Sequence, residues 1–403
     1  HWPEVSAPDL WFVYRTNPAI SFWDTKTITE RIAEFPFIVA FSYIHDETNH
    51  MADVLLPERT DLESTQLIRV GGTKFSEAFW DHEGVALRQP AVEPRGETMD
   101  FTDIASELAA RTGLLAPYNA AINKGSAGYP LVGEGYDFGL EPERQYPSEE
   151  IWDAMCRSAS VDLSDGADQG GLDWYKQHAI RTRPISRLIW YLFPELEAKG
   201  LRFEMPYQEQ LYRVGLQLGN RLHEKGIQWW DDQLEEYEPL PAWKDVPGIW
   251  EQATVNSGGR LEDYPFWLLT SRSMQLAWGS NSSIQLIDEV SRNMRGHRAV
   301  VINRGRATEM GIAEGDLVEI KSTLRSTKGR VVLKQGIRPD TILIQGQFDH
   351  WVTPYSKDHP APSMNTITPM SLALTDATGS SADIVRVAVT RLAGSEGHDE
   401  GRG

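Results

Sequence analysis

The sequence predicts an α/β doubly wound domain, an α-rich connecting segment and a closed barrel of six short strands. Three observations carry this expectation. Near the start, apolar strand-length runs alternate with an amphipathic helix. In the middle, glycine, proline and aromatic residues are interleaved with amphipathic helices. From Phe266 onward, short apolar runs are separated by tight turns.

The first element is the strand Leu10 to Tyr14, broken at Asn17-Pro18. A helix is expected from Thr25 to Phe35, with Ile28, Ile32 and Ala33 on one side. Phe37 to Phe41 is apolar at every position, the pattern of a strand buried on both faces of a parallel sheet. Ala52 to Pro57 is a third strand, and a helix from Thr102 to Arg111 closes the unit at Gly113. Doubly wound sheets bind ligands beyond the carboxyl ends of their strands, here Arg15-Thr16-Asn17 and Ser42 to Thr48.

Residues 116–262 form the aromatic-rich connecting segment, following a first domain at 1–115. Residues 263–393 hold the barrel, with strands expected at 266–270, 299–302, 317–321, 330–333, 341–344 and 384–390. Its sharpest local signal is Ala307 to Ile320, which reads as a helical turn, a stop at Gly311, a turn at Gly315-Asp316 and a strand. The tail 394–403, rich in glycine and charge, is expected to be disordered.

The chain has 403 residues, 40% hydrophobic and 24% charged, a profile ordinary for a soluble protein of two or three domains. No run approaches the roughly 18 apolar residues of a membrane helix. The formal charge of −19 argues against nucleic acid as a partner. Screening beyond about 8 Å still lets a few local arginines hold an anionic cofactor. The single cysteine, Cys156, excludes an internal disulfide and any four-cysteine metal or iron–sulfur site in this chain. It lies in a helical run, 149–157, and is expected to pack. His297 and His359 show no metal-ligand spacing with other histidines or carboxylates, and no metal site is assigned here. The opening His1-Trp2-Pro3 has neither an initiator methionine nor a leader pattern, which suggests a fragment of a longer chain.

Several motifs occur in a fixed order. They are Tyr14-Arg15-Thr16-Asn17-Pro18, Glu47-Thr48, Ala52-Asp53-Val54-Leu55-Leu56-Pro57, Glu83-Gly84, Ala91-Val92-Glu93-Pro94 with Gly96-Glu97, and the barrel series from Ala307. This order resembles the carboxy-terminal half of the dimethyl sulfoxide reductase family of molybdopterin oxidoreductases. The resemblance implies a Rossmann-like domain, a six-stranded double-psi β-barrel and a bis(molybdopterin guanine dinucleotide) cofactor with molybdenum or tungsten. A 4Fe-4S cluster and the metal ligand would belong to a missing amino-terminal half.

Carried over residue by residue, the resemblance places Asn17, Ser42, Thr48 and Asp53 at a guanosine end. Leu269-Thr270-Ser271-Arg272 is similar to the family's Thr-Gly-Arg against pterin and diphosphate, with Trp278, Ser280 and Asn281 following in the same groove. Met364-Asn365-Thr366 is similar to the asparagine segment that bonds the pterin. Two departures stand out. Ser42 replaces an aspartate, and a neutral hydroxyl cannot offer the paired charged acceptors that a guanine edge takes. Ser271 replaces a glycine, which loosens the approach of backbone to ligand.

Alternative roles stand beside these. Glu47-Thr48 would serve equally as a cap for a short helix before Asp53, and His350-Trp351 either approaches a substrate funnel or packs. The segments Gly200 to Glu209, Trp229-Trp230-Asp231 and Leu240 to Trp243 are similar to the large subunit of phenylacetyl-CoA:acceptor oxidoreductases, with thiosulfate, polysulfide and tetrathionate reductases as neighbours. The resemblance implies no nucleic acid partner. It implies instead a small-molecule substrate, an iron–sulfur electron-transfer subunit, and a possible membrane-anchor subunit. It places the enzyme in a prokaryotic cytoplasm or periplasm. A non-catalytic nucleotide-binding or assembly protein is the reading from another class.

Overall fold

The structure is a computed structural model and describes residues 8–71, 82–125, 128–184, 209–240, 243–271, 280–345, 349–359, 361–376, 382 and 384–392. Arg272, Trp278, most of 200–209 and the tail 394–403 lie outside the described residues. The chain forms two compact units. The first gathers residues 1–40, 44–55 and 206–403; the second gathers 41–43 and 56–205.

Near the start of the chain, β1 (Trp11–Tyr14), β2 (Ile38–Ser42) and β3 (Val54–Pro57) form a three-stranded sheet in that order. Helices Pro18–Ser21 and Thr25–Ile32 connect β1 to β2. Pro18 suits the first helical position, where its missing N–H would have found no partner anyway. Asp24 caps the second helix by accepting from the Thr27 N–H at 3.3 Å. Every residue of β2 is buried, as its uniform apolar run predicts. Val13, Ile32, Ile38 and Ala40 form the core of this part.

The expected doubly wound sheet is therefore found only as three strands in sequence order. Past β3 the chain does not continue with crossovers but enters an antiparallel sheet in the second unit. Its strands are β4 (Gln66–Gly71), β5 (His82–Arg88) and β8 (Ile180–Pro184), in the order β4-β5-β8. The sequence reading missed these strands. Their residues mix polar, charged and apolar side chains with no apolar run the length of the strand, unlike a strand buried on both faces of a parallel sheet. A two-stranded ribbon, β6 (Val132–Gly133) with β7 (Tyr136–Asp137), lies between β5 and β8 in the chain.

Helix Ser148–Leu163 packs on the antiparallel sheet and buries Cys156 and Ala159 completely. Burial pushes the Cys156 thiol up to about 12, so it is an inert packing group, as expected. Gly84 explains the glycine after Glu83. A Cβ built there would lie 2.0 Å from the Arg181 carbonyl oxygen, so β5 and β8 approach too closely for any side chain.

Beyond residue 206 the first unit resumes and closes into the expected barrel. Its strands are β9 (Phe266–Ser271), β10 (Val300–Asn303), β11 (Leu317–Lys321), β12 (Ser326–Lys334), β13 (Thr341–Gln345) and β14 (Ile384–Arg391). The barrel order is β10-β12-β11-β14-β9-β13. β10 with β12 and β9 with β13 are parallel, and the other four pairings are antiparallel. Leu268, Ile320, Ile342, Ile344 and Val387 are fully buried in it. Each such side chain contributes roughly 1.5–3 kcal/mol. Trp250, from helix Val246–Asn256, joins this core and meets Trp23 edge-on at 5.4 Å.

The turn between β10 and β11 is the one the sequence predicts. Asn303 caps helix Arg304–Glu309 through the Arg306 N–H. Gly311 and Gly315 take φ of 67° and 83°, left-handed values that glycine adopts freely. Asp316 Oδ2 then accepts from the Ala313 N–H at 2.8 Å.

Candidate cofactor-binding site

At the carboxyl end of β1, Asn17 is half-buried and its side chain is committed internally. Its Nδ2 donates to Glu47 Oε2 at 2.7 Å, and its Oδ1 accepts from the Thr48 N–H at 3.1 Å and hydroxyl at 2.8 Å. Thr48 Oγ1 in turn accepts from the Ala19 N–H at 2.9 Å. The capping role considered for Glu47-Thr48 is not what the structure shows. Thr48 makes no side-chain cap on the short helix Asn49–Met51 and instead ties down the helix after β1.

Glu47 is the centre of this cluster and is fully buried. Its Oε1 accepts from the N–H groups of Trp351, Val352 and Thr353 at 2.9, 2.9 and 3.0 Å. Its Oε2 accepts from the Thr353 hydroxyl at 2.9 Å and lies 3.3 Å from His350 Nδ1. Burial alone would raise its pKa. The bond and charge of His350 and the converging N–H groups outweigh burial and hold the carboxyl well below the usual range. Its neighbour Asp46 has fewer donors around it. Burial, with the Glu47 charge adding to it, pushes Asp46 up to about 6.

Asp53 works on the sheet: its Oδ2 accepts from the Ile38 N–H at 2.8 Å, beside the backbone bond from Asp53 N to Ile38 O. Ser42 ends β2, is 8% exposed, and its carbonyl accepts from the Glu58 N–H at 3.1 Å. Asn365, in the helical turn Met364–Ile367, donates from Nδ2 to the Ile20 carbonyl at 2.8 Å. Asn17, Thr48 and Asn365 are thus brought onto the same stretch, Asn17 to Ile20. Next to it lies a cavity of about 290 Å³ whose lining includes Ile20, Thr25, Asp349, Trp351, Ser363 and Thr366.

At the end of β9, the Thr270 and Ser271 hydroxyl oxygens are buried without a hydrogen-bond partner among the described residues. An unpaired buried hydroxyl costs about 1–3 kcal/mol, which leaves both oxygens able to take a partner. Ser280 and Asn281 contribute backbone to the turn Ser280–Ser283, and their side chains lie outside the described residues, as do Arg272 and Trp278. Glu47 and His350 are what sequence reasoning assigned least. The local signal is an acid beside a hydroxyl residue ahead of a strand, while the imidazole it meets lies 303 residues away. Among the described residues, no group of three or more His, Cys, Asp or Glu could hold a metal ion.

Two spans of the chain match known families. Residues 2–111 match the molybdopterin oxidoreductase family, and residues 266–382 match the molybdopterin dinucleotide binding domain. The chain thus carries one span similar to each of these two domains.

A sulfite dehydrogenase subunit from Allochromatium vinosum is 23% identical over 342 residues, covering 77% of this chain and 32% of that protein. The molybdopterin-containing subunit of thiosulfate reductase from Salmonella typhimurium is 25% identical over 338 residues, covering 84% and 38%. The chain thus spans about a third of the length of the curated relatives it matches. Among solved structures, acetylene hydratase from Pelobacter acetylenicus superposes with a TM-score of 0.56 at 13% identity, covering 95% of this chain and 44% of that one. That likeness shows shared fold.

The cofactor these domains imply is a bis(molybdopterin guanine dinucleotide) with molybdenum or tungsten. The residues present fit it, because Thr270 Oγ1 and Ser271 Oγ await polar partners of the kind a fused heterocycle or a diphosphate offers.

Proposed function

We propose that the chain is the cofactor-gripping part of the catalytic subunit of a bis(molybdopterin guanine dinucleotide) oxidoreductase. The observation that carries this is the pair of buried, unpartnered hydroxyls at the end of β9, within the span matched to the dinucleotide-binding domain. When bound, the metal-bearing cofactor supplies oxygen-atom or hydroxyl chemistry and a path for electrons. The chain's own residues bind and orient. Thr270 and Ser271 bond the pterin side, with Arg272, Trp278, Ser280 and Asn281 continuing the groove. Asn365 holds the facing edge, and Asn17, Thr48 and Asp53 hold the rim at the guanosine end. Ser42 stands where the nucleobase contact is weakened to a neutral one.

Isolation of the complete polypeptide, followed by acid oxidation, is expected to release a fluorescent pterin with near-stoichiometric molybdenum or tungsten. Neither pterin nor either metal would overturn the reading and favour a non-catalytic nucleotide-binding protein.

For the substrate, the aromatic-rich segment around Trp229-Trp230-Asp231 and Leu240 to Trp243 supports water-dependent oxidation of phenylacetyl-CoA to phenylglyoxylate. Electrons would pass to an iron–sulfur partner and then to quinone. The sulfite and thiosulfate enzymes among the relatives favour a second reading, conversion of sulfur oxyanions. Turnover with artificial electron carriers decides between them, and activity only with sulfur oxyanions rejects the first. No helix among the described residues is long and apolar enough to cross a membrane. Attachment to a membrane through partner subunits is part of the proposed reading.

A further inference from the structure

Three side chains of the first unit stand in line behind the cofactor segment. Ser282 Oγ is 3.1 Å from His350 Nε2, and His350 Nδ1 is 3.3 Å from Glu47 Oε2 and 3.0 Å from Thr353 Oγ1. All are buried: Ser282 is 4% exposed, His350 8% and Glu47 not at all.

The chemistry of the line has a direction. Glu47 receives three backbone N–H groups, the Thr353 hydroxyl and the Asn17 amide, so it is ionised and acts only as an acceptor. The proton on the imidazole is thereby fixed at Nδ1, between Glu47 and Thr353. The other ring nitrogen, Nε2, is left to meet the Ser282 hydroxyl at hydrogen-bond distance. The other charged groups whose fields act together with this ring are Asp46 and Asp349, both adjacent in sequence to members of the line.

A carboxylate, an imidazole and a hydroxyl in this order also build nucleophilic hydrolase sites. Here the hydroxyl is buried, which leaves it an anchor. What it anchors is the turn Ser280–Ser283, the described segment that follows β9 and its two unpartnered hydroxyls.

We propose that His350 is a positioning residue for the cofactor: oriented by Glu47, it holds Ser282 and so fixes the turn Ser280–Ser283 at the pterin side of the barrel. This rests on the function proposed above. It extends that reading to residues that touch no ligand themselves. Loosening the line frees the turn and lets cofactor escape, without the loss of a direct contact.

The test uses the complete polypeptide isolated with its cofactor, comparing wild type with Ser282→Ala, His350→Ala and His350→Gln. The readouts are the rate at which pterin is lost on dilution, followed by fluorescence after acid oxidation, and the thermal midpoint. Ser282→Ala is expected to lose pterin about tenfold faster with a thermal midpoint close to wild type. His350→Ala is expected to match it, and His350→Gln, whose amide oxygen can take the place of Nε2, to recover most of the retention. Equal retention in wild type, Ser282→Ala and His350→Ala overturns this inference and leaves the functional reading intact. So does loss in His350→Gln as large as in His350→Ala. Absence of pterin from the wild type overturns the functional reading itself.

Discussion

Glu47 and His350 meet across 303 residues of sequence, with Oε2 3.3 Å from Nδ1 in an environment where the carboxylate is fully buried. The contact joins the turn that precedes β3 to the loop after β13, so one carboxylate ties the sheet to the barrel within the first unit. Breaking one side of a buried, hydrogen-bonded charge cluster costs far more than the cluster contributes net.

Glu47→Ala is therefore expected to destabilise the first unit by about 3–5 kcal/mol at neutral pH. Because folding depresses this carboxyl, its contribution is present above the unfolded value and is lost as pH falls through the folded one. Denaturant titrations of wild type and Glu47→Gln should show a gap at pH 7 that narrows progressively once pH falls below the unfolded carboxyl value. A gap that widens with acidification would contradict the assignment.

Asp46 works with the opposite sign. Its folded value is raised to about 6, so the protonated form is favoured in the fold and the carboxyl penalises stability as pH rises through that value. Asp46→Asn keeps the acceptor for the Asn49 N–H, a 2.8 Å bond, and removes the buried charge. Stabilisation by about 1–3 kcal/mol is expected above pH 7, shrinking to nothing below the unfolded carboxyl range. Unfolding curves at several pH values measure it.

Thr270→Val and Ser271→Ala should change sign with cofactor. In cofactor-free chain, each removes an unsatisfied buried hydroxyl and is expected to stabilise by up to about 1–3 kcal/mol. In the loaded enzyme each should speed pterin loss. Thermal midpoints with and without cofactor separate the two effects, and a parallel shift in both states would show that the hydroxyls face no ligand.

Gly84→Ala places a Cβ against backbone, 2.0 Å from the Arg181 carbonyl oxygen, where no side-chain movement can relieve it. The pairing of β5 with β8 should open, with a loss of about 1–3 kcal/mol or more. Hydrogen exchange at Val85 and Arg181 amides should rise while barrel amides stay protected.

The barrel was legible because its signals are local. Strand-length apolar runs, the two left-handed glycines 311 and 315 and the Asp316 turn each act over a few residues, and the strands fall within a few residues of their expected places. The buried character of β2 and of Cys156 was legible for the same reason. The antiparallel sheet was not, since β8 pairs with β5 across about a hundred residues and neither strand names its partner. Asn17 and Thr48 were singled out from resemblance, yet their polar atoms bond each other, Glu47 and Ala19. His350 was left between packing and substrate contact. Its role depends on a carboxylate and a hydroxyl that adjoin it only after folding.

β9 lies between β13 and β14, with Leu268 paired to Ile342 on one side and to Val385 on the other. The earliest barrel strand to leave the ribosome is thus the one whose neighbours are made last. Its edges stay open through most of the synthesis of the domain, and the ring closes only with the final strand. The hydroxyls at its end cannot take up their places before then. A chain stalled short of β14 would expose a bare apolar strand edge to aggregation.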